Sequence, residues 1–332
     1  MFVFSTVTAF ADPVVIPNYT TQFAPGELTG PGSGLPNGSY QDGPGGSAYG
    51  PGMSNDATAA TRLNGGTIIA LKNEGSSSQQ LSMVIVSSDG KVVVVDGGVE
   101  QDSAHLLKVI KQYGGRVDAW LITHPQTDHA GALYKILRDH KAEVDIAGIY
   151  FTFFEYEWYQ AVDPDEIGML FHLNEVFGSF DQSRLHKSLK RNDVITLSDK
   201  LSVRVMNDPI KTEGNAAVNG SGLMYDISVD GKHLIVLGDM SLEAGNIHMN
   251  NGVLDGIICD YVQMSHHGQA GVGEEFYKRL SPRNCIWPTP SWLYNVDRSN
   301  YKGYRTWETK EWISRLNVEG NFITMNGDVI IK

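Results

Sequence analysis

Residues 117–129 read VDAWLITHPQTDH, an apolar strand followed directly by a loop that carries two histidines and an aspartate. The apolar run predicts a buried β-strand, and the next stretch, AGALYKILRDH (130–140), predicts a helix. His124, Asp128 and His129 therefore share one tight strand-to-helix connection. Neutral imidazole and carboxylate oxygen both suit zinc, and the carboxylate content also admits manganese. We interpret the loop as part of a divalent-metal site.

Two further groups of ligand-type residues follow in order along the chain. Asp239 ends the apolar strand HLIVLG, and His266 and His267 follow the strand CDYVQM within the tetrapeptide Ser-His-His-Gly. A carboxylate at the end of a strand can bridge two metal ions, although Gly-Asp is also an ordinary turn sequence. Adjacent histidines point in different directions, so one is predicted to bind metal and the other to act behind the ligands or on the substrate.

The order of these motifs resembles the metallo-β-lactamase superfamily. The strand KVVVVD ends in Asp96-Gly-Gly, and His-x-x-x-Asp-His, Gly-Asp and His-His-Gly follow. Within the superfamily the chain is similar to the extracytoplasmic domain of ComEC-type DNA-uptake proteins and to secreted bacterial choline-phosphate esterases. The resemblance covers residues 66–332. It implies a four-layer αββα metallo-β-lactamase sandwich, an α/β (α+β) fold, and a metal-dependent hydrolase.

The resemblance also implies a role for each motif residue. His124 would serve a first metal site, and Asp239 would bridge to a second site formed by Asp128, His129 and one of His266 and His267. His267 directly precedes the glycine, which favours it as the ligand. Asp96 would hold the ligand loop by hydrogen bonds without touching the metal. The implied nucleophile is a metal-activated hydroxide, and the predicted catalytic residues are Asp128, His266 and His267, one of the two histidines protonating the leaving group.

The sequence departs from the usual pattern of the superfamily at two positions. Gln126 replaces the middle histidine of His-x-His-x-Asp-His, and an amide oxygen is a weaker zinc ligand than imidazole. The histidine expected before the Gly-Asp strand is also absent, and NAAVNGS (215–221) stands there. Asn219 or Ser221 could contribute a weak oxygen ligand, although a plain loop is the favoured interpretation. We therefore predict one or two ions, zinc or manganese, with the first site the weaker.

Two classes of phosphodiester substrate fit the sequence. The bridging aspartate with His-His-Gly resembles the phosphodiesterase branch more than the β-lactamase branch. A nucleic-acid substrate is favoured by a basic segment, which is also typical of a solvated helix face: Arg184, His186, Lys187, Lys190 and Arg191. A cell-wall polymer is favoured by aromatic residues that could equally be core: Phe153, Phe154, Tyr156, Trp158, Tyr159, Trp292 and Tyr294, the last two as candidate substrate contacts.

Two other classes of function stay open on the sequence. One is a non-catalytic binding or surface protein with a degenerate metal site, which Gln126 and the missing histidine motivate. The other is a lactone or β-lactam hydrolase.

The N-terminal sequence predicts a secreted bacterial protein in three parts. Residues 1–11 are apolar and end in Ala-Phe-Ala, which is typical of a truncated signal peptide. Residues 12–64 are rich in Gly, Pro and Ser and predict a disordered linker to a hydrolase domain over 65–332.

Composition adds three constraints. The net charge of −12 gives no global attraction for nucleic acid. No apolar run approaches the ~20 residues of a membrane-spanning helix. The only two cysteines, Cys259 and Cys285, are predicted to be buried thiols rather than a disulfide.

Overall fold

The structure is a computed structural model that describes residues 62–75, 78–165, 167–214, 216–300 and 303–332. The predicted signal peptide and all but the last few residues of the predicted linker lie outside the described residues. Leu63 is buried in the core, and the side-chain amide of Asn64 donates to the Asp230 carbonyl at 3.2 Å. These two residues, which composition assigns to the linker, therefore belong to the packed domain.

The described residues form two seven-stranded sheets and one two-stranded ribbon. The strands are β1 (Thr67–Ala70), β2 (Ser82–Val86), β3 (Val92–Asp96), β4 (Arg116–Val117), β5 (Ala119–Leu121), β6 (Asp145–Ile146), β7 (Ile149–Phe151), β8 (Leu185–Lys187), β9 (Val194–Thr196), β10 (Leu201–Val205), β11 (Tyr225–Val229), β12 (Lys232–Val236), β13 (Tyr261–Gln263), β14 (Asn284–Trp287), β15 (Gly320–Ile323) and β16 (Val329–Ile331). The first sheet has the order β16-β1-β2-β3-β5-β7-β8, and the second β15-β14-β13-β12-β11-β10-β9. The ribbon pairs β4 with β6.

Along the sequence, the α-helices of the described residues are interspersed with these strands. They are α1 (Ser103–Gln112), α2 (Thr127–Asp139), α3 (Tyr156–Val162), α4 (Gly168–Gly178), α5 (Ala217–Gly220), α6 (Leu242–Asn250), α7 (Glu274–Leu280), α8 (Ser291–Tyr294) and α9 (Thr306–Ser314). No helix in this part of the chain is long and apolar enough to cross a membrane.

The central strands are apolar on both faces because each face meets a different core. Along β3, Val93 and Val95 point into the core between the two sheets, whereas Val92 and Val94 point towards the helices outside the first sheet. The same alternation with a period of two residues places Ile235 of β12 on the outer face of the second sheet. Such strands appear in the sequence as continuous apolar runs.

Helices cover the outer face of each sheet. Helices α1, α2 and α4 contribute buried residues to the core outside the first sheet. Helices α6, α7 and α9 do the same outside the second sheet. The layers are therefore helix, sheet, sheet and helix, and the predicted αββα sandwich is confirmed.

The structure corrects one part of the predicted secondary structure. The aromatic-rich sequence of residues 153–191 indicates helix. The segment does contain α3 and α4, but it also contains β8, which pairs in parallel with β7. The three residues of β8, Leu-His-Lys, form a short edge strand with one buried side chain. So short and polar a segment lacks the apolar alternation that marks a strand. Both cysteines are free and buried, as predicted.

Candidate metal centre

Asp96 fixes the loop that follows β5. Its carboxylate accepts hydrogen bonds from the backbone N–H and the hydroxyl of Thr123, both at 2.7 Å. Nδ1 of His129 lies 2.7 Å from Asp96 Oδ2, and the indole N–H of Trp120 donates to the Asp96 carbonyl. All of these groups are buried. Asp96 therefore positions the ligand loop through hydrogen bonds, in the place that the resemblance implies.

Four side chains from three segments converge beside this network: the first turn of α2, which the sequence assigned to the loop before the helix, and the turns after β12 and β13. Asp128, His129, Asp239 and His267 each offer a ligand atom, and these atoms lie within 4.8 Å of one another. His129 Nε2 is 3.2 Å from Asp239 Oδ1, and His267 Nε2 is 3.3 Å from both Asp239 Oδ2 and Asp128 Oδ2. The three motifs therefore meet at one place in the structure.

The atoms that face the centre have no hydrogen-bond partner among the described residues. They are His129 Nε2, His267 Nε2 and both carboxylate oxygens of Asp239. The opposite ring nitrogens are engaged, since Nδ1 of His129 faces Asp96 and Nδ1 of His267 lies 3.1 Å from the carbonyls of Gln80 and Pro288. Each ring thus donates from Nδ1 and turns its Nε2 lone pair inward. Buried polar atoms rarely stay unpaired, so this donor set fits a divalent cation.

The pKa shifts of His267, His129 and Asp239 also fit a cation site. Burial opposes charge on His267, but Asp239 and Asp128 outweigh it and raise the pKa of that imidazole to about 9. The pKa of His129 is raised well above its ordinary value because the attraction of Asp239, Asp128 and Asp96 likewise outweighs burial. Burial also opposes charge on Asp239, yet its histidine neighbours hold the pKa of its carboxyl well below the usual range. The pocket therefore favours positive charge beside its carboxylates.

A left-handed turn presents the two adjacent histidines. His266 and His267 have φ of 50° and 54°, and Gly268 follows at 81°. The hydroxyl of Thr289 donates to the His267 carbonyl at 2.6 Å, and the backbone N–H of His266 donates to the Gly238 carbonyl. The turn buries His267 fully and leaves His266 20% exposed, with its Nε2 3.6 Å from Asp239 Oδ2. His267 lies within the cluster of ligand atoms, and His266 lies at its rim.

The residues predicted for a first metal site are arranged differently. His124 is buried, with Nδ1 3.0 Å from the Thr123 hydroxyl and Nε2 2.9 Å from the Gln126 amide oxygen. Burial lowers the pKa of His124 to about 4, so its ring is neutral near pH 7. Asn219 lies in α5 with a buried side-chain oxygen that has no partner among the described residues, and the Ser221 hydroxyl donates to the Val218 carbonyl.

The candidate substrate residues lie outside this cluster. Tyr294 is 5% exposed and packs edge-on against Trp287, so it is part of the outer core. Trp292 is partly exposed and packs against Tyr304.

Several side chains of the basic segment contact neighbouring residues of the fold. Arg184 pairs with Asp145, and the Arg191 guanidinium donates to the carbonyls of Asn251 and Gly252. His186 stacks on Tyr150. The segment is held at the surface, but it lies along β8 and the loop after it and not on the helix face that the alternative interpretation assumed.

Three groups that shape the centre were missed by sequence reasoning. The carbonyls of Gln80 and Pro288 carry no side-chain signature. Gln263 accepts hydrogen bonds from the N–H groups of Leu237 and Gly238 and donates to the Gly238 carbonyl, and so fixes the turn that carries Asp239. A glutamine inside the apolar strand YVQM is the signal that could have identified it.

Fold and centre agree with the comparison to protein families. The profile of the metallo-beta-lactamase superfamily matches residues 77–277, which is more than half of the chain. The chain therefore belongs to the metallo-β-lactamase superfamily, whose members share a metal-dependent hydrolase fold.

Individual relatives are distant. The chain is 28% identical to ComE operon protein 3 of Bacillus subtilis (strain 168) over 180 residues, which is 54% of this chain and 20% of that protein. Among solved structures, the metallo-beta-lactamase fold protein YhfI of Bacillus subtilis aligns with a TM-score of 0.49 and 11% identity over 80% of this chain and 98% of that one. Tm1679, a metal-dependent hydrolase of the beta-lactamase superfamily, aligns with a TM-score of 0.45 and 10% identity over the same shares.

Proposed function

We propose that this protein is a metal-dependent phosphodiesterase that uses zinc or manganese. The observation that carries the proposal is the set of buried, unpaired ligand atoms on His129, Asp239 and His267, to which Asp128 adds a carboxylate. Two imidazoles and two carboxylates form a complete donor set for such an ion. A divalent ion bound there would lower the pKa of a bound water and stabilise charge that develops on a phosphoryl oxygen.

The side chains around the centre have separate tasks in this proposal. Asp96 and the Gln80 and Pro288 carbonyls hold the His129 and His267 rings with Nε2 directed inward. His266, at the rim and partly exposed, is placed to accept a proton at Nε2 and return it to the leaving oxygen. Phosphodiesters are favoured as substrates because the motif order Gly-Asp then His-His-Gly resembles the phosphodiesterase branch of the superfamily.

The test is hydrolysis of bis(p-nitrophenyl) phosphate by the full chain, stripped with a chelator and then reloaded with Zn²⁺ or Mn²⁺. We expect activity only after reloading. Asp239→Asn and His267→Ala should each lower kcat/KM by about 100-fold or more, equal to ~2.7 kcal/mol of transition-state stabilisation. His172→Ala is the matched control, because His172 is exposed on α4 and stacks only on Tyr134.

Other outcomes would contradict the proposal in distinct ways. A reloaded protein that is inactive on phosphodiesters but opens a lactone or a chromogenic β-lactam would place it in another branch of the superfamily. A metal-loaded protein without any of these activities would support a binding role. Oligonucleotides and glycerol-phosphate polymers, offered in parallel, would then separate the two substrate classes.

A further inference from the structure

We infer that the centre takes one divalent ion, and that the side-chain amide of Gln126 occupies the position on His124 that a second ion would otherwise take. The inference rests on the proposed metal-dependent function of the same site. It is carried by the hydrogen bonds of Thr123, His124 and Gln126 and by the orientation of Asp239.

The hydrogen bonds of the Thr123 hydroxyl determine which nitrogen of His124 carries the proton and which carries a lone pair. The Thr123 hydroxyl lies 2.7 Å from Asp96 Oδ2, and a contact between a hydroxyl and a carboxylate at that distance requires the hydroxyl to donate. The hydroxyl has no second proton, so it must accept from His124 Nδ1, 3.0 Å away. A neutral His124 ring that donates from Nδ1 keeps only a lone pair at Nε2, the same tautomer that His129 and His267 adopt.

Gln126 meets this lone pair. The Gln126 amide oxygen is placed 2.9 Å from His124 Nε2, but an oxygen cannot donate to a lone pair, so the hydrogen bonds around Thr123 assign the amide with its N–H group towards the ring. A half-turn of the amide exchanges its oxygen and nitrogen without moving another atom. The lone pair of His124 is then already paired, whereas those of His129 and His267 are not.

Asp239 is directed at one ion rather than two. Its Oδ1 lies 3.2 Å from His129 Nε2, and its Oδ2 lies 3.3 Å from His267 Nε2. Each oxygen faces one histidine, and both histidines belong to the same cluster of four ligand residues, so the carboxylate is placed for an ion shared within that cluster.

A second ion would have too few ligands. Among the described residues, His124 does not join a group of three or more His, Cys, Asp or Glu ligands. Catalytic zinc normally holds three protein ligands. Among the described residues of this site, the further ligands for an ion beside His124 would be the neutral Gln126 amide and an oxygen withdrawn from the first ion.

The primary test is the number of ions in the wild-type protein, which needs no variant. The full chain, stripped and titrated with Zn²⁺ in a calorimeter, should bind one ion per chain, and elemental analysis after dialysis should give the same count. Long-range ¹H–¹⁵N spectra of the histidine rings should show the Nε2 resonances of His129 and His267 shift on loading, while that of His124 stays within its apo range.

Variants supply the second test. His124→Ala should change the Zn²⁺ dissociation constant less than about 3-fold. His267→Ala removes a ligand and should raise the dissociation constant by about 100-fold or more, since changing only the groups that hold a ligand in place costs roughly 10- to 100-fold. Gln126→His should bring the count from one ion to two. Asp199→Asn, at an exposed position, is the control variant and should bind Zn²⁺ as the wild type does. If His124→Ala does not fold, the wild-type count and the ring spectra still decide the question.

The outcomes separate this inference from the proposed function. Two tightly bound ions in the wild type, or a metal-dependent shift of His124 Nε2, would overturn the single-ion inference even if the protein hydrolyses phosphodiesters. One bound ion without hydrolysis would leave the inference standing and overturn the proposed function. Absence of any bound ion would overturn both.

Discussion

At the scale of single residues, the properties of the centre depend on groups that would not touch the ion. Asp96 is the main example, because its carboxylate accepts from Thr123 and from His129 Nδ1. Its φ of 54° is the left-handed conformation that side chains rarely adopt. Strain of this kind persists where the surrounding hydrogen bonds require it. Asp96 can therefore be tested separately from the ligands.

The first prediction concerns Asp96→Asn. The amide keeps the size of the side chain but can no longer accept from both Thr123 and His129 with a full negative charge. We expect the Zn²⁺ dissociation constant to rise by about 10- to 100-fold with the number of ions unchanged. Calorimetry gives the affinity, and ring ¹⁵N shifts should show His129 losing its fixed Nδ1–H tautomer. An affinity equal to that of the wild type would remove Asp96 from this role.

A second prediction concerns His233, which lies on β12 far along the strand from the centre. Its pKa is raised by the hydrogen bond to Asp226 at 2.8 Å, and Asp260 adds attraction while Arg204 opposes it. A raised pKa in the folded state means that the charged ring stabilises the fold below its unfolded value of about 6.5. That stabilisation is lost as the pH rises through the folded pKa.

The variant His233→Gln keeps a hydrogen-bond donor but carries no charge. We expect it to lower the free energy of unfolding by about 1 kcal/mol at pH 5.5 and by less at pH 9, since the pair is partly exposed and screened. Urea unfolding of both proteins in the presence of a chelator measures this, because the difference between them cancels other titrations. An equal difference at both pH values would contradict the prediction.

At the scale of elements, the turn after β13 determines where His267 points. Gly268 has a φ of 81°, and a Cβ there would lie 2.5 Å from the Trp287 ring. Gly90, in the β2–β3 hairpin, has a φ of 82° but no atom within 4 Å of its hypothetical Cβ. The two glycines share a left-handed φ but differ in the space around a Cβ, so they form a matched pair.

The third prediction uses this pair. Gly90→Ala should cost about 1–2 kcal/mol, the penalty of a left-handed L-residue. Gly268→Ala should cost at least ~1 kcal/mol more, because the methyl group must displace Trp287 from a packed core. It should also weaken metal binding, whereas Gly90→Ala should not. Urea unfolding and zinc titration of both variants test this, and equal behaviour of the two would show that the turn is not held by Trp287.

The strands and helices also differ in how well their sequences predicted them. Strand β3 and the last three residues of β12 (234–236) are buried on both faces and are continuous apolar runs, so both strands were placed correctly. The short β8 and α5 could not be predicted from their own patterns, because β8 depends on pairing with β7 and α5 depends on packing against α3 and α6. The pairing of Gln126 with His124 likewise depends on a side-chain geometry that residue types alone do not specify.

At the scale of the whole molecule, the centre lies where strands of both sheets end. Asp96 ends β3. The neighbouring parallel strand β5 leads into α2, whose first turn carries Asp128 and His129. Asp239 and His267 follow β12 and β13, which are parallel neighbours in the second sheet. The carboxyl ends of adjacent parallel strands meet at one edge, where α/β proteins commonly bind ligands. The order of motifs in the sequence therefore predicted their convergence, although the distances had to come from the structure.

The last prediction follows from this placement, because a bound ion would join segments that follow strands of different sheets. An ion that binds only the folded state adds RT ln(1 + [L]/Kd) to stability, about 4 kcal/mol at a thousandfold excess over Kd. For a domain of this size that corresponds to a rise in Tm of roughly 10 °C. Thermal unfolding of the wild type with Zn²⁺ and with chelator should show this difference. Asp239→Asn should lose most of it, because it removes the carboxylate that the second sheet supplies, whereas His172→Ala should retain it. A similar rise in Asp239→Asn would mean that zinc stabilises the protein elsewhere and that the two sheets are not joined through this centre.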